Sequence, residues 1–280
     1  MAPTSDSSVK QLLLPLEVAV FAASSAHDAQ SHGAGRVELN APGSYAVGGT
    51  TPPVAMLREV KRRVQLPVRI MIRPRGAPDD GADDFVYSPA EFEQMRAAIL
   101  AFKATGTMNP VHGDGFVFGI LRRVEPAEAK HPGDHLFVDE PRCKELIDVA
   151  RPFGCVFHRA FDHIAASPRW AEGLATLHRC GFKALLTAGG YSDCADNTRR
   201  LEVMCERVPA GLQLVVGGGL RGHNARPLAT ALAAVSKQPL WLHSAAIASD
   251  DEHGHMPEHQ PIDTAKLRDL VNALCDARAN

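Results

Sequence analysis

Charged residues interrupt the short apolar runs of this 280-residue chain at a spacing of two. Glu17 lies in the run 16–21, Glu38 in 36–40, and Arg73 ends the run 67–73. Side chains of a strand alternate between its faces. Val18 and Val20 then share one face, and Glu17, Ala19 and Phe21 the other. Val37 and Leu39 oppose Glu38 and Asn40, and Ile70 and Ile72 oppose Met71, Arg73 and Arg75. A buried charge is costly unless it is paired. Two carboxylates and a guanidinium on such faces either satisfy each other as a structural network or converge on a polar ligand.

The ends of other runs add to this set. Ile72-Arg73-Pro74-Arg75-Gly76 makes a stiff turn with two guanidinium groups, which can hold a carboxylate or phosphate in bidentate fashion. Phe157-His158-Arg159-Ala160-Phe161-Asp162 sets an imidazole near an acid, an arrangement for general acid–base work or metal ligation. Gly217-Gly218-Gly219 frees backbone N–H groups for an anion, and His243-Ser244 ends the next run. Read as one site, Glu17, Glu38, His158 and Asp162 are the candidate catalytic groups. Arg73, Arg75, Arg159, Gly217, Gly218, Gly219, His243 and Ser244 are the candidate substrate-binding groups. The plain alternatives are an ion-pair network, a surface arginine pair, a structural histidine and a tight glycine turn. His253, His255 and His259 could hold a soft divalent metal adventitiously. Cys194 and Cys205 are too far apart to chelate from consecutive helical turns.

The elements that must position these groups follow from the same periodicity. Strand-like runs fall at 16–21, 36–40, 67–73, 116–121, 155–158, 183–187, 212–216 and 240–243. Helical stretches follow at about 24–32, 52–64, 89–104, 141–150, 168–180, 193–208, 225–235 and 263–275. Eight such units imply parallel strands with right-handed crossovers, and eight strands close a barrel that side chains can fill. The expected fold is α/β, a single (β/α)8 TIM-type barrel over 1–280, with an open doubly wound sheet as the alternative. Ser24, Ser88-Pro89 and Ser167-Pro168 mark helix starts, and Gly33, Gly106 and Gly181 mark stops. In such barrels function collects at the C-terminal strand ends, where the polar groups above map to one rim. The segments 122–139 and 249–260 read as surface loops.

A hydrophobic fraction of 45% and a net charge of −2, without long charged runs, give no reason to expect nucleic acid or an anionic membrane as partner. Residues 1–11 lack the pattern of a signal peptide. The six cysteines show no CxxC pair and read as reduced thiols of a cytosolic protein.

Leu16-Glu17-Val18, Gly33-Ala34-Gly35-Arg36-Val37-Glu38-Leu39, Gly48-Gly49-Thr50-Thr51-Pro52, Met71-Ile72-Arg73-Pro74-Arg75-Gly76, Gly115-Phe116-Val117-Phe118-Gly119, Phe157-His158-Arg159-Ala160-Phe161-Asp162, Leu186-Thr187, Gly217-Gly218-Gly219 and His243-Ser244-Ala245 occur in that order. Together they resemble the CutC copper homeostasis proteins. The resemblance implies a cytosolic, often oligomeric barrel associated with copper handling, with Cu(I) as the expected ion. The cysteine positions of the family's copper proposal correspond here to Ala19 and Asn40, neither of which offers the soft sulfur that Cu(I) favours. A copper site in this chain would need other ligands, with Cys155 near His158 as one such pair. The expected function is copper homeostasis with possible copper binding. The alternative is an enzyme of isomerase or lyase type acting on a small anionic or phosphorylated substrate. A third reading is a non-catalytic scaffold.

Overall fold

The apolar runs form parallel strands that close on themselves in the computed structural model, which describes residues 12–131, 134–247 and 261–275. In chain order the elements are β1 (Leu16–Val20), α1 (Ala23–Ser31), β2 (Arg36–Leu39), α2 (Val54–Arg63), β3 (Val68–Met71), α3 (Pro89–Lys103), β4 (Gly115–Phe118), β5 (Leu121–Arg123), β6 (Leu136–Val138), α4 (Glu140–Ala150), β7 (Gly154–Phe157), α5 (Phe161–Ala165), α6 (Trp170–Cys180), β8 (Ala184–Thr187), α7 (Thr198–Arg207), β9 (Gln213–Gly217), α8 (Gly222–Val235), β10 (Leu240–Ser244) and α9 (Thr264–Leu274). The barrel runs β1-β2-β3-β4-β7-β8-β9-β10, and β10 returns to pair with β1. Among the described residues no helix is long and apolar enough to cross a membrane.

The period of two sorts the strand residues. Val18, Val20, Leu39, Ile70, Phe116 and Phe157 join the core that contains the helix residues Leu57, Ile99, Leu177 and Leu228. Met71, Val117, Val156, Ala184, Leu186 and Val215 form a separate cluster with Trp241, the filling of the barrel. Helix ends follow local chemistry. Ser88 caps α3 in a capping box with Glu91, and Gly181 closes α6 at φ 96°, a conformation costly for any residue with a Cβ.

Three expectations change. The run 116–121 is not one strand: β4 stops at Phe118, and Leu121 pairs with Val138 in an antiparallel hairpin. The segment 122–139 is therefore not wholly a loop, because β6 buries Leu136, Phe137 and Val138 against the core. Its Pro, Glu and His residues mask this short apolar stretch. The helix expected from 193 begins at Thr198, since the Asn197 side chain donates to the Tyr191 and Asp193 carbonyls and holds a turn. The expected loop 249–260, with His253, His255 and His259, lies outside the described residues, as do residues 1–11.

Candidate functional site

A cavity of about 770 Å³ opens at the C-terminal strand ends. Of the groups expected there, Glu38, Arg73, His158, Arg159, Asp162, Gly218, Gly219, His243 and Ser244 line it. Glu17, Arg75 and Gly217 do not, so the single rim drawn from the sequence separates into a mouth, a floor and an outer turn.

The floor is a chain of charged groups. Glu17 starts β1 on the barrel face, where Arg36 from β2 donates its Nε–H to Oε2, and Oε1 lies 2.8 Å from Nδ1 of His243 on β10. The register that pairs Glu17 with both Arg36 and His243 brings these residues together. Arg36 also donates to Gln213 Oε1 at 3.2 Å and stacks on Trp241 at 4.0 Å. Burial alone would raise the Glu17 pKa, but Arg36 and His243 outweigh it and hold this carboxyl well below the usual range. Glu38 differs. Its Oε1 accepts from Asn40 Nδ2 at 3.1 Å, while Oε2 is buried without a partner. Burial raises its pKa, with His243 opposing and Glu17 adding. For His243, burial lowers the pKa, yet Glu38 and Glu17 together push it above the ordinary value. Glu38 and His243 therefore each hold a proton more firmly than the free side chain does, and Glu17 fixes the imidazole through Nδ1.

The opposite wall carries His158, the residue after β7. Ala160 N–H donates to its Nδ1 at 3.3 Å, while Nε2 is buried without a partner. Burial, with Arg73 adding, lowers its pKa to about 3, so the ring is neutral at physiological pH. The ring of Phe85 packs on it with centroids 4.9 Å apart. Gly119 is needed beneath, since a Cβ there would stand 2.6 Å from Nδ1. Arg73 is fixed by the carbonyls of Val47 and Gly49 and by Asp84 at 2.8 Å. Arg75 turns out of the mouth to Glu91 and the Val86 carbonyl.

Asp162 is fully engaged: Arg159 donates to it at 2.7 Å, Thr187 at 2.6 Å and the Ala188 N–H at 2.8 Å. It ties α5 to the end of β8. Ser244 donates to the Leu220 carbonyl at 3.0 Å. Each residue of the glycine run makes room for a side chain. A Cβ on Gly217 would stand 2.8 Å from that of His243, one on Gly218 2.9 Å from Arg159 Cζ, and one on Gly219 2.0 Å from the Asp193 carboxyl carbon. Arg159 and Arg221 stand at the mouth, Arg159 donating its Nε–H to Asp162 and Arg221 its Nη1–H to the Leu220 carbonyl at 2.8 Å.

Glu17, Glu38 and His243 are the described group whose donor atoms lie within 4.8 Å of one another, a spacing that a metal could draw together. Carboxylate and imidazole suit harder ions than Cu(I). Ala19 and Asn40 line the same cavity and bring no sulfur to it. Cys155 and His158 do not meet, because they fall on opposite faces of the β7 segment. The thiol belongs to the helix-facing core, 3.9 Å from the Phe153 carbonyl, and burial pushes its pKa up to about 12. No described thiol joins the cavity. The residues present therefore do not fit a Cu(I) centre.

Sequence reasoning did not single out Arg36, Arg69, Phe85 or Arg221. Arg69 was within reach: stepping back by two from Arg73 and Met71 puts it on the same face. Phe85 gave no periodic signal, since it sits in a loop with φ 63°.

The match to the model of the CutC family covers residues 14–239. The human and mouse proteins named copper homeostasis protein cutC homolog are each 35% identical to this chain over 209 residues, 75% of this chain and 66% of theirs. A CutC family protein of Xanthomonas campestris is 30% identical over 268 residues, 92% of this chain and 98% of that protein. The crystal structure of CutC from Streptococcus agalactiae superposes with a TM-score of 0.65 at 22% identity, covering 83% of this chain and 99% of that one, a likeness of fold. With its motifs matched in order and its barrel matched in space, the chain belongs to the CutC family.

Proposed function

We propose that this protein is a barrel enzyme that moves a proton on a small anionic substrate in the mouth cavity. Its part in copper homeostasis, the role named for its human and mouse relatives, then runs through that chemistry and not through a Cu(I)–thiolate site. The observation that carries this reading is Glu38, a buried carboxyl with one oxygen unpartnered and a raised pKa, beside an imidazole that Glu17 orients. A carboxylate whose proton affinity is raised in a cavity is suited to general acid–base work near neutral pH. Arg159 and Arg221 at the mouth would meet the anionic end of the substrate. Cytoplasmic residence and self-association belong to this proposal as expectations from the family.

The test is incubation of the reduced protein with a small-metabolite extract in D2O, followed by untargeted mass spectrometry. A compound that gains deuterium or is converted by the wild type, and not by Glu38→Gln, supports the reading. Cu(I) is titrated in parallel against a competing chelator. One-to-one copper binding lost on replacing the cysteines by serine, together with an unchanged extract, would overturn it.

A further inference from the structure

Four residues that line the cavity hold buried polar atoms without a partner, Glu38 Oε2, Asn40 Oδ1, Arg73 Nε and His158 Nε2, and the two that can exchange a proton near neutral pH or donate as a neutral ring, Glu38 and His158, stand on different walls. Glu38 comes from β2, and His158 follows β7, three strands further round the barrel. They are unlike in chemistry. Nδ1 of His158 receives the Ala160 N–H, which requires a lone pair on that nitrogen. The proton of the neutral ring therefore sits on Nε2, the atom without a partner. This ring is a hydrogen-bond donor and has no basic nitrogen to offer the cavity. The surroundings hold it so: Gly119 admits the ring, Phe85 lies across it, and the cationic groups on this side are Arg73, paired with Asp84, and Arg159, paired with Asp162. An imidazolium there would face two guanidinium groups without a carboxylate of its own. Phe85 covers the ring from a left-handed backbone conformation that bulky residues rarely adopt, a form of strain found where a loop must move or position a ligand.

We infer that His158 is a neutral electrophile whose Nε2–H donates to a substrate carbonyl oxygen, so that the substrate is a small carbonyl compound bearing a transferable hydrogen on the adjacent carbon. This rests on the proton-transfer reading above and names its substrate class. In the step, the Glu38 carboxylate takes the proton from the carbon next to the carbonyl. The C–H electron pair becomes the new C=C bond, and the carbonyl π pair moves to oxygen. The developing oxyanion receives the His158 Nε2–H hydrogen bond, and Glu38 then returns its proton to carbon. Nothing is oxidised or reduced. A donor aimed at charge that appears only in the transition state lowers the barrier without tightening ground-state binding equally.

The test needs no knowledge of the natural substrate. The protein is labelled with 15N-histidine, and His158 is assigned by its loss in His158→Gln. Long-range 1H–15N spectra are recorded from pH 5 to 8. A single Nε2–H tautomer that does not titrate over this range is expected. Oxalate, a planar mimic of an enolate, is then added. It should shift the Nε2 proton downfield. His158→Gln, which keeps a donor, should retain oxalate binding, and His158→Phe should weaken it about tenfold or more. A titration midpoint within the range, an Nδ1–H tautomer, or oxalate binding that is absent or equal in wild type and His158→Phe would overturn the inference. A titrating His158 with Glu38-dependent deuterium uptake intact would remove this role alone and leave proton transfer standing.

Discussion

Replacing Glu17 by Gln keeps the shape of the barrel floor and deletes one charge. Glu17 is 2% exposed and its carboxylate serves both Arg36 and His243. A glutamine oxygen accepts from only one of them, and its amide directs N–H groups at the other. Removing one partner of a buried ion pair typically costs about 3–5 kcal/mol, because the remaining charge stays desolvated. Arg36 keeps Gln213 and its stack on Trp241, which favours a value near 3 kcal/mol. Urea unfolding followed by circular dichroism measures it. With a slope of roughly 3 kcal/mol per molar, the midpoint should fall by about 1 M at unchanged slope. The control is Glu17→Leu with Arg36→Met, which removes both charges. It should recover most of the loss, since an apolar pair in place of a buried ion pair is often neutral or better. A loss below about 1 kcal/mol for Glu17→Gln, the range of exposed pairs, would show that water screens this network. It would remove the argument that the network is a dry, preorganised floor.

His158 makes stability depend on pH. Its pKa in the fold is about 3 against an ordinary 6.5, so below pH 6.5 the unfolded chain binds a proton that the native state refuses. The stabilisation is complete above that value and lost as pH falls toward 3. Between pH 7 and 5 this group should cost about 2 kcal/mol, and His158→Gln should lose correspondingly less stability than the wild type over that interval in denaturant titrations. The thiols give a second check. Cys143, Cys155, Cys180, Cys194 and Cys205 are buried, and burial pushes the last three up to about 11. A disulfide reagent should modify Cys275 quickly and the others at the rate of global unfolding. Fast labelling of a second thiol in the native protein would contradict this packing.

The barrel was legible because buried parallel strands and amphipathic helices differ in period, and eight alternations leave few topologies. The polar faces were legible for the same reason: Glu17 and Glu38 could only turn inward once Val18, Val37 and Leu39 were given to the helices. Geometry between strands was not. That Arg36 answers Glu17, that Glu17 reaches His243, and that Arg75 leaves the mouth for Glu91 are set by barrel register and by loop paths. A run of three glycines likewise reads as exposed backbone until the side chains of His243, Arg159 and Asp193 are seen against it.

Charge decides between a cation and an anion at the floor. Glu17 is neutralised by Arg36, which leaves Arg69 beneath them with two buried nitrogens unpartnered and a pKa lowered to about 10 by burial and by Arg36. Burial raises the Glu38 pKa, and the two carboxyls raise that of His243, so each holds a proton more firmly than the free side chain does. Arg69 adds a positive charge with no hydrogen-bonded carboxylate to offset it. A divalent cation on Glu17, Glu38 and His243 would add two more in a poorly solvated place, after displacing Arg36 from Glu17 or sharing its carboxylate. An anion would offset that charge and give the orphaned guanidinium field a partner. At the mouth, Arg73 and Arg159 are offset by Asp84 and Asp162, while Arg221 donates to the Leu220 carbonyl. The orphaned Arg69 and the mouth arginines are the features that favour a negatively charged molecule in the proposed function, with Glu38 as the group that would exchange its proton.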